Sequence, residues 1–447
     1  MANIMTRSGH KLVLGMGKSG LSCVRYLCAR GYRVSVADTR AHPPGLDEFV
    51  QQYPQLPRQC GGDLQELLLS ADEIILSPGL SPQDALLNAV RQAGIPIIGD
   101  IELFARAVQA PVVAITGSNA KSTVTTLVAE MAQAAGLRVA VGGNLGTPAL
   151  DLLALDKADL YVLELSSFQL ETTESLAPVA ACILNMSEDH LDRHGSMQAY
   201  HQAKQRIFRH TQSCVVNRDD ALTYPLVAAS VPVTSFGGGR PDLGQYGVCE
   251  VAGERQLCRG HEALLAVREL LIPGEHNVLN ALAALALGER AGLPMASMLT
   301  TLRAFRGLEH RCQCIAEKAQ LRWYDDSKGT NVGATVAAIE GLGQSARLIV
   351  ILGGLGKGQD FSPLRAPLQK YARAVVLIGQ DAPAIAAILP TDLPRQHASS
   401  MSEAVAQARA LAVAGDAVLL SPACASMDMF KDYHDRGRQF SAAVAAL

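Results

Sequence analysis

PVVAITGSNAKSTVTT, residues 111–126, is the stretch whose reading decides the fold. Its first half, Val112-Val113-Ala114-Ile115, is a short β-branched run that reads as a buried strand. From Lys121 to Ala135 the Ala, Leu, Met and Glu content reads as a helix. Between them lies a small polar turn, Thr116-Gly117-Ser118-Asn119-Ala120. Together with Lys121-Ser122-Thr123 at the helix start, this arrangement is a cradle for phosphate. Backbone N–H groups and the helix N-terminus face the anion, the lysine reaches terminal phosphates, and a hydroxyl reaches Mg2+. The full G-x-x-x-x-G-K-[ST] pattern is absent, because Ile115 and Ala120 stand where its glycines belong. Taken alone, the loop leaves an ordinary strand-to-helix turn with a surface lysine as an equal alternative.

With 447 residues the chain has room for about three domains, and with 49% apolar and 18% charged residues it can bury ample cores. A net charge of −3 and a pI near 6.4 give no basic field for nucleic acid, so any anion site is local. No apolar run approaches the ~20 residues of a membrane span, and the start of the chain lacks a signal-peptide core, which predicts a cytoplasmic protein. The cysteines are scattered, and Cys312 and Cys314 lack the spacing of a zinc site, so buried free thiols are expected.

Outward from the loop, strands are predicted at 11–15, 33–37, 73–76 and 95–98. Gly15-Met16-Gly17-Lys18-Ser19-Gly20 lies after the first and Asp38 after the second. That pattern is open to NAD as much as to another nucleotide. Ser77-Pro78-Gly79 reads either as part of the same crevice or as a plain turn. Beyond the loop, strands are predicted at 138–141, 160–163 and 180–184, and Glu164 ends one of them, where a carboxylate can hold Mg2+. Residues 215–272 read as a sheet-rich insertion, and Asn277 as a cap for the helix that follows Pro273. Strands at 348–352, 374–378 and 417–420 alternate with helices, which predicts a parallel sheet.

These motifs form a set: GDIELF at 99–104, AITGSNAKSTVTTL at 114–127, LELSSFQLE at 163–171, NMSEDHLDRH at 185–194, GEHNVLNALAALAL at 274–287, LEHRCQ at 308–313, DDSKGTN at 325–331, LGGLGKGQDFSPL at 352–364 and LLSPACASMDMFKDY at 419–433. In this order the chain resembles the Mur ligase family of bacterial peptidoglycan synthesis over essentially its whole length. SSFQLE and SPACAS resemble the D-glutamate-adding branch.

The resemblance implies an α/β protein of three domains: a Rossmann-like UDP-binding domain (1–99), a P-loop-type ATPase domain (100–307) and a C-terminal Rossmann-like domain for D-glutamate (308–447), with hinges near residues 99 and 307. It implies ATP-dependent ligation of D-glutamate to UDP-N-acetylmuramoyl-L-alanine through an acyl phosphate, by a monomer. By resemblance, Lys121, Glu164, His190 and Lys204 are catalytic. Gly117, Ser118, Asn119, Ala120, Lys121, Ser122, Thr123, Asn277, Asn280, Arg311 and Asp326 bind ATP. Lys18, Ser19, Asp38, Thr39, Arg40, Ser77, Gly79, Asn144 and His190 meet the sugar nucleotide. Thr330, Lys357, Ser426, Met427 and Tyr433 meet D-glutamate. One Mg2+, replaceable by Mn2+, is expected on Ser122 or Thr123 with Glu164, and a second on His190 and a carbamylated Lys204, since a plain ammonium cannot ligate a hard cation. From the residues alone, Lys204 reads as an exposed helix charge and Ser426 as a helix cap.

Overall fold

The computed structural model describes residues 7–154, 157–272 and 274–447, without the side chains of Arg7 and Ser8. Pro273 and the first six residues, which carry part of the expectations above, lie outside it.

Three sheets follow one another along the chain. In the first, β1 (Arg7–Leu14), β2 (Tyr32–Asp38), β3 (Arg58–Cys60), β4 (Glu73–Leu76) and β5 (Ile97–Ile98) lie in the order β3-β2-β1-β4-β5, all parallel. Chain order reverses between β1 and β4, and ligands of open α/β sheets bind at such switch points. Gly15 leaves β1 with φ 106°, and a Cβ there would fall 2.7 Å from Ser77 Cβ, so only glycine lets the two strand ends meet. The next helix, Lys18–Ala29, starts at the turn itself.

The second sheet contains β6 (Val112–Thr116), β7 (Val139–Gly143), β8 (Leu160–Glu164), β9 (Ala180–Ile183), β10 (Cys214–Asn217), β11 (Val233–Phe236), β12 (Tyr246–Val251), β13 (Glu254–Arg259) and β14 (Glu262–Ala266). Its order is β14-β13-β12-β11-β10-β9-β6-β8-β7. The sheet-rich stretch 215–272 is continuous with this sheet: β10 and β11 extend it in parallel beyond β9, and β12 to β14 finish it as an antiparallel meander.

In the third sheet, β15 (Gln313–Lys318), β16 (Leu321–Asp325), β17 (Leu348–Gly353), β18 (Ala372–Ile378), β19 (Arg395–His397) and β20 (Ala417–Leu420) take the order β15-β16-β20-β17-β18-β19. It is parallel except for the β15–β16 hairpin.

One buried cluster joins Val13, Val24 and Phe49 of the first domain to Ile101, Phe104, Val112 and Leu163 of the second. The third sheet is enclosed by two clusters of its own. Bending at residue 99 is therefore opposed by a shared core, and Arg311 and Asn331 of the third domain hydrogen-bond to Ser122, Asn119 and Asp189 of the second. All the cysteines are free thiols, but Cys314 is exposed, and Cys28, Cys60, Cys249 and Cys312 are only half-buried. No helix among the described residues is long and apolar enough to cross a membrane.

Candidate active site

Strand β6 is buried at every position and flanked by β8 and β9, so the loop after it leaves the middle of the sheet between two strand ends. Gly117 has φ 153°, and a Cβ there would crowd Leu184 Cβ at 3.1 Å. Asn185, just beyond β9, fixes the loop: its carbonyl accepts from Ser118 N at 2.9 Å and its Oδ1 from Asn119 N at 2.8 Å. Ala120 caps the helix Lys121–Ala134 in the left-handed region, with φ 65° and ψ −4°. The turn thus has the shape glycine favours, with alanine in it.

Lys121 Nζ donates to the Gly117 and Ser118 carbonyls, each at 2.8 Å. Ser122 Oγ donates to Glu164 Oε2 at 2.6 Å, and Asn144 Nδ2 donates to Oε1 at 2.6 Å. From the third domain Arg311 Nη2 reaches Ser122 Oγ at 2.6 Å. Burial disfavours charge on Glu164, but Lys121 and the Ser122 and Asn144 hydrogen bonds outweigh it and hold the carboxyl below its ordinary range. Burial lowers the Lys121 ammonium, against the pull of Glu164 and Asp189.

Lys204 is no surface charge. On the helix Met197–Gln205 it is 2% exposed, its Nζ donates to the Gly117 carbonyl at 2.9 Å and Thr116 Oγ1 at 3.3 Å, and it lies 4.7 Å above the Tyr200 ring. Burial, then repulsion from Lys121, pushes it well below the lysine range. His190, also against Tyr200, has φ 54° and packs edge-on to Phe168, and burial favours its neutral form.

The hard oxygens of Ser122 and Glu164 suit Mg2+, and Thr123 lies instead on a cavity wall. Among the described residues no three His, Cys, Asp or Glu side chains converge as a metal cluster. Lys204 as an ammonium has no lone pair to offer, so it fits a metal only once its nitrogen carries an oxygen-bearing group.

Cavities meet this cluster through two of its partners, Asn144 beside Glu164 and Arg311 beside Ser122. One, of 820 Å³, has Lys18, Ser19, Asp38, Thr39, Arg40, Ser77 and Gly79 on its first-domain wall, Asn144 on its second and Tyr433 with His434 on its third. The other, of 320 Å³, is lined by Asn119, Ala120, Thr123, Asn277, Asn280, Arg311 and Asp326, and Lys328 touches both. Burial pushes the Asp326 carboxyl up to about 7 and the Lys328 ammonium down to about 8. A small gap holds His190 and Lys357 together with Asp189 and Gln359. Thr330, Ser426 and Met427 line none of these three cavities, and Met427 is exposed.

Two expectations change. Asn277 is not a cap: Gly274 holds the N-cap position with φ 98°, and Asn277 sits in the first turn, accepting from Asn280 Nδ2 at 3.1 Å. Ser426 is not one either, since Asp432 caps the final helix. Asp38 proves to be engaged already, by Met16 N at 2.7 Å and by Arg40 Nε and Nη2 at 2.9 and 2.8 Å. It holds Arg40 toward the cavity instead of offering a free acceptor to a ribose, which removes the main feature favouring NAD. Asn185, Tyr200, Lys328 and Asn331 belong to the site although the sequence reading gave them no role. Asn185 had a local signal, as a polar residue directly after a strand flanking the loop, and Lys328 and Asn331 lie in the DDSKGTN stretch at 325–331, whereas Tyr200 had none.

Family models match in chain order: a Mur ligase MurD-like N-terminal domain over residues 9–99, a Mur ligase middle domain over 115–288 and a Mur ligase glutamate ligase domain over 310–424. The UDP-N-acetylmuramoylalanine--D-glutamate ligase of Acinetobacter baylyi is 57% identical, over 99% of this chain and 100% of its own length. The protein of the same name from Pseudomonas aeruginosa is 56% identical, over 98% of each. The MurF ligase of Thermotoga maritima, solved in complex with ADP, shares the fold with a TM-score of 0.61 at 15% identity, over 100% of both chains. The strand-end loops, their shared cavities and these full-length likenesses agree, and the chain belongs to the Mur ligase family.

Proposed function

We propose that the protein is an ATP-dependent ligase that joins D-glutamate to UDP-N-acetylmuramoyl-L-alanine, in the cytoplasmic stage of peptidoglycan precursor synthesis. The observation that carries this reading is that the Lys121–Ser122–Glu164 cluster meets, through Asn144 and Arg311, a three-walled cavity sized for a sugar nucleotide and a second cavity at the phosphate loop. Both relatives named above bear that activity in their names.

A carboxylate is a poor electrophile and must first be activated. An oxygen of the alanyl carboxylate attacks the γ-phosphorus of ATP, ADP leaves, and the acyl phosphate forms. The D-glutamate amine then attacks the acyl carbon, phosphate leaves, and the nitrogen loses a proton. The protein's part is positioning and charge neutralisation. Lys121 faces the terminal phosphates. Arg311 approaches from the third domain, and Asn277, Asn280 and Asp326 hold the nucleoside. Arg40, braced by Asp38, with Lys18 and Ser77 holds the uridine diphosphate end. Lys357 and Tyr433 meet D-glutamate, and Thr330, Ser426 and the Met427 backbone complete its site when the third domain closes.

Mg2+ on Ser122 and Glu164, and a second ion on His190 and carbamylated Lys204, would offset the phosphate and carboxylate charge when bound. A depressed lysine pKa supports the modification, because the neutral amine is the form that adds CO2. The test is phosphate release with ATP, UDP-N-acetylmuramoyl-L-alanine and D-glutamate, singly and together. Release is expected only with all three. Equal release with L-glutamate or meso-diaminopimelate would overturn the acceptor, and binding of NADH without UDP would overturn the first-domain role.

A further inference from the structure

Neither Asn331 nor Gln359 has a part in the reaction just described, yet each is bonded in two directions. Asn331 caps the third-domain helix Val332–Gly343, its Oδ1 accepting from Ala334 N at 2.9 Å, and it is 3% exposed. Its amide nitrogen points across the domain boundary, donating to Asn119 Oδ1 at 3.0 Å and to Asp189 Oδ2 at 3.2 Å. Asn119 belongs to the phosphate loop, and Asp189 precedes His190. One residue along, Val332 N donates to Gln359 Oε1 at 3.0 Å, and Gln359 Nε2 donates to the Ala423 carbonyl at 2.7 Å. Gln359 lies in the loop of Lys357, and Ala423 in the loop of Ser426.

The seam is tight. A Cβ on Gly333 would stand 3.0 Å from Ser187 Oγ and 3.4 Å from Asn119 Nδ2, so the helix start seats directly on the second domain. Lys357 and Ala423 both have left-handed backbones, with φ 54° and 59°. Non-glycine residues keep that conformation where their surroundings fix it. A side-chain amide accepts at its oxygen and donates at its nitrogen, and both links use the two ends so.

We propose that Asn331 and Gln359 are positioning residues forming one hydrogen-bonded relay, which sets the phosphate loop, the His190 loop and the two acceptor loops of the third domain together. The relay rests on the reading of the third domain as the amino-acid domain. It gives the ligase a way to align the acceptor only when the third domain is seated on the nucleotide loop.

Asn331→Ser keeps a helix cap and removes the donor that crosses the boundary. Gln359→Glu keeps the acceptor for Val332 N and removes the donor to Ala423. Hydrogen exchange of the ligand-free full-length protein is read by mass spectrometry over 356–359 and 423–426, beside steady-state kinetics and melting. Both variants are expected to melt with the parent and to exchange faster in both segments. Their KM for D-glutamate should rise about tenfold, the effect of one buried hydrogen bond. Affinity for the sugar nucleotide should stay within about twofold, and the double variant should be no worse than the worse single one. Unchanged exchange at 356–359 in Asn331→Ser, unchanged exchange at 423–426 in Gln359→Glu, or fully additive losses would overturn the relay. The exchange measurement needs no turnover. A parent without D-glutamate-dependent phosphate release would therefore remove the function, while the exchange pattern separately decides the relay.

Discussion

Ala120→Gly tests the phosphate loop at its least expected residue. With φ 65° and ψ −4°, Ala120 places its Cβ against the carbonyl that follows, a crowding that costs about 1–2 kcal/mol for an L-residue. Glycine would avoid that cost but loses about 0.5–1 kcal/mol more backbone freedom on folding. The methyl also touches the apolar cluster beneath the loop, a contact worth at most about 0.8 kcal/mol. The balance slightly favours glycine, by about 0.5 kcal/mol, or a rise of about 1–2 °C in melting temperature for a domain of this size. In the nucleotide complex the same strain relief acts on the loop that holds phosphate, so a non-hydrolysable ATP analogue should bind equally or up to about fivefold tighter by calorimetric titration. Ala120→Val, which puts a β-branched residue at positive φ, should lose both stability and affinity. Binding weaker than the parent's by more than about threefold in Ala120→Gly would refute the reasoning. It would mean that the methyl, and not the backbone, shapes the site.

Three further outcomes follow from the geometry. Asp38→Asn frees Arg40 from its two-point hold, and UDP binding by titration should weaken about tenfold while ATP binding stays unchanged. Lys204→Ala should abolish phosphate release, and the parent's activity should fall in CO2-stripped buffer and recover with bicarbonate; full activity of the variant would exclude a role for this lysine. Asp326 has a folded pKa raised by burial to about 7 from 3.8, so the native state holds the proton longer than the unfolded chain does. Its contribution to stability is complete below the lower value and lost as pH rises through the higher. Denaturant midpoints across that window should therefore fall less steeply for Asp326→Asn than for the parent.

The parallel strands were legible because both of their faces are covered, so each reads as an unbroken apolar run, as in Val112–Thr116 and Leu348–Gly353. β3 and β19 were not, since Arg58-Gln59-Cys60 and Arg395-Gln396-His397 are short edge strands held by a neighbour's backbone. The β15–β16 hairpin was hidden for another reason: its turn residues Ala319 and Gln320 have φ 55° and 60° without the Asn-Gly signal such a turn usually carries. At the site, residues joined to a local motif, such as Lys121 and Glu164, could be found one segment at a time. Asn331 could not, because what marks it is a partner in another domain, 212 residues away for the Asn331–Asn119 bond, and Gln359 could not, because its partners Val332 and Ala423 sit in separate segments of its own domain.

The charges around Gly117 explain why one loop would need both an anion and a divalent cation. Lys121 and Lys204 donate to the same carbonyl, at 2.8 and 2.9 Å, and Arg311 lies one hydroxyl away. Glu164 and Asp189 are the acids that oppose them, and Glu164 already accepts from Ser122 and Asn144. With Lys204 protonated, the cations outnumber the acids in surroundings where burial weakens screening, and a phosphate alone would satisfy the excess. That state is held back by the same burial and repulsion that depress the Lys204 pKa. Carboxylation of the neutral amine would exchange a potential cation for an anion and remove the positive excess. A triphosphate could then enter only in company with divalent cations, beside the Ser122 and Glu164 oxygens that suit one. The buried lysine would thus set which form of the nucleotide the loop accepts, without itself touching the phosphate.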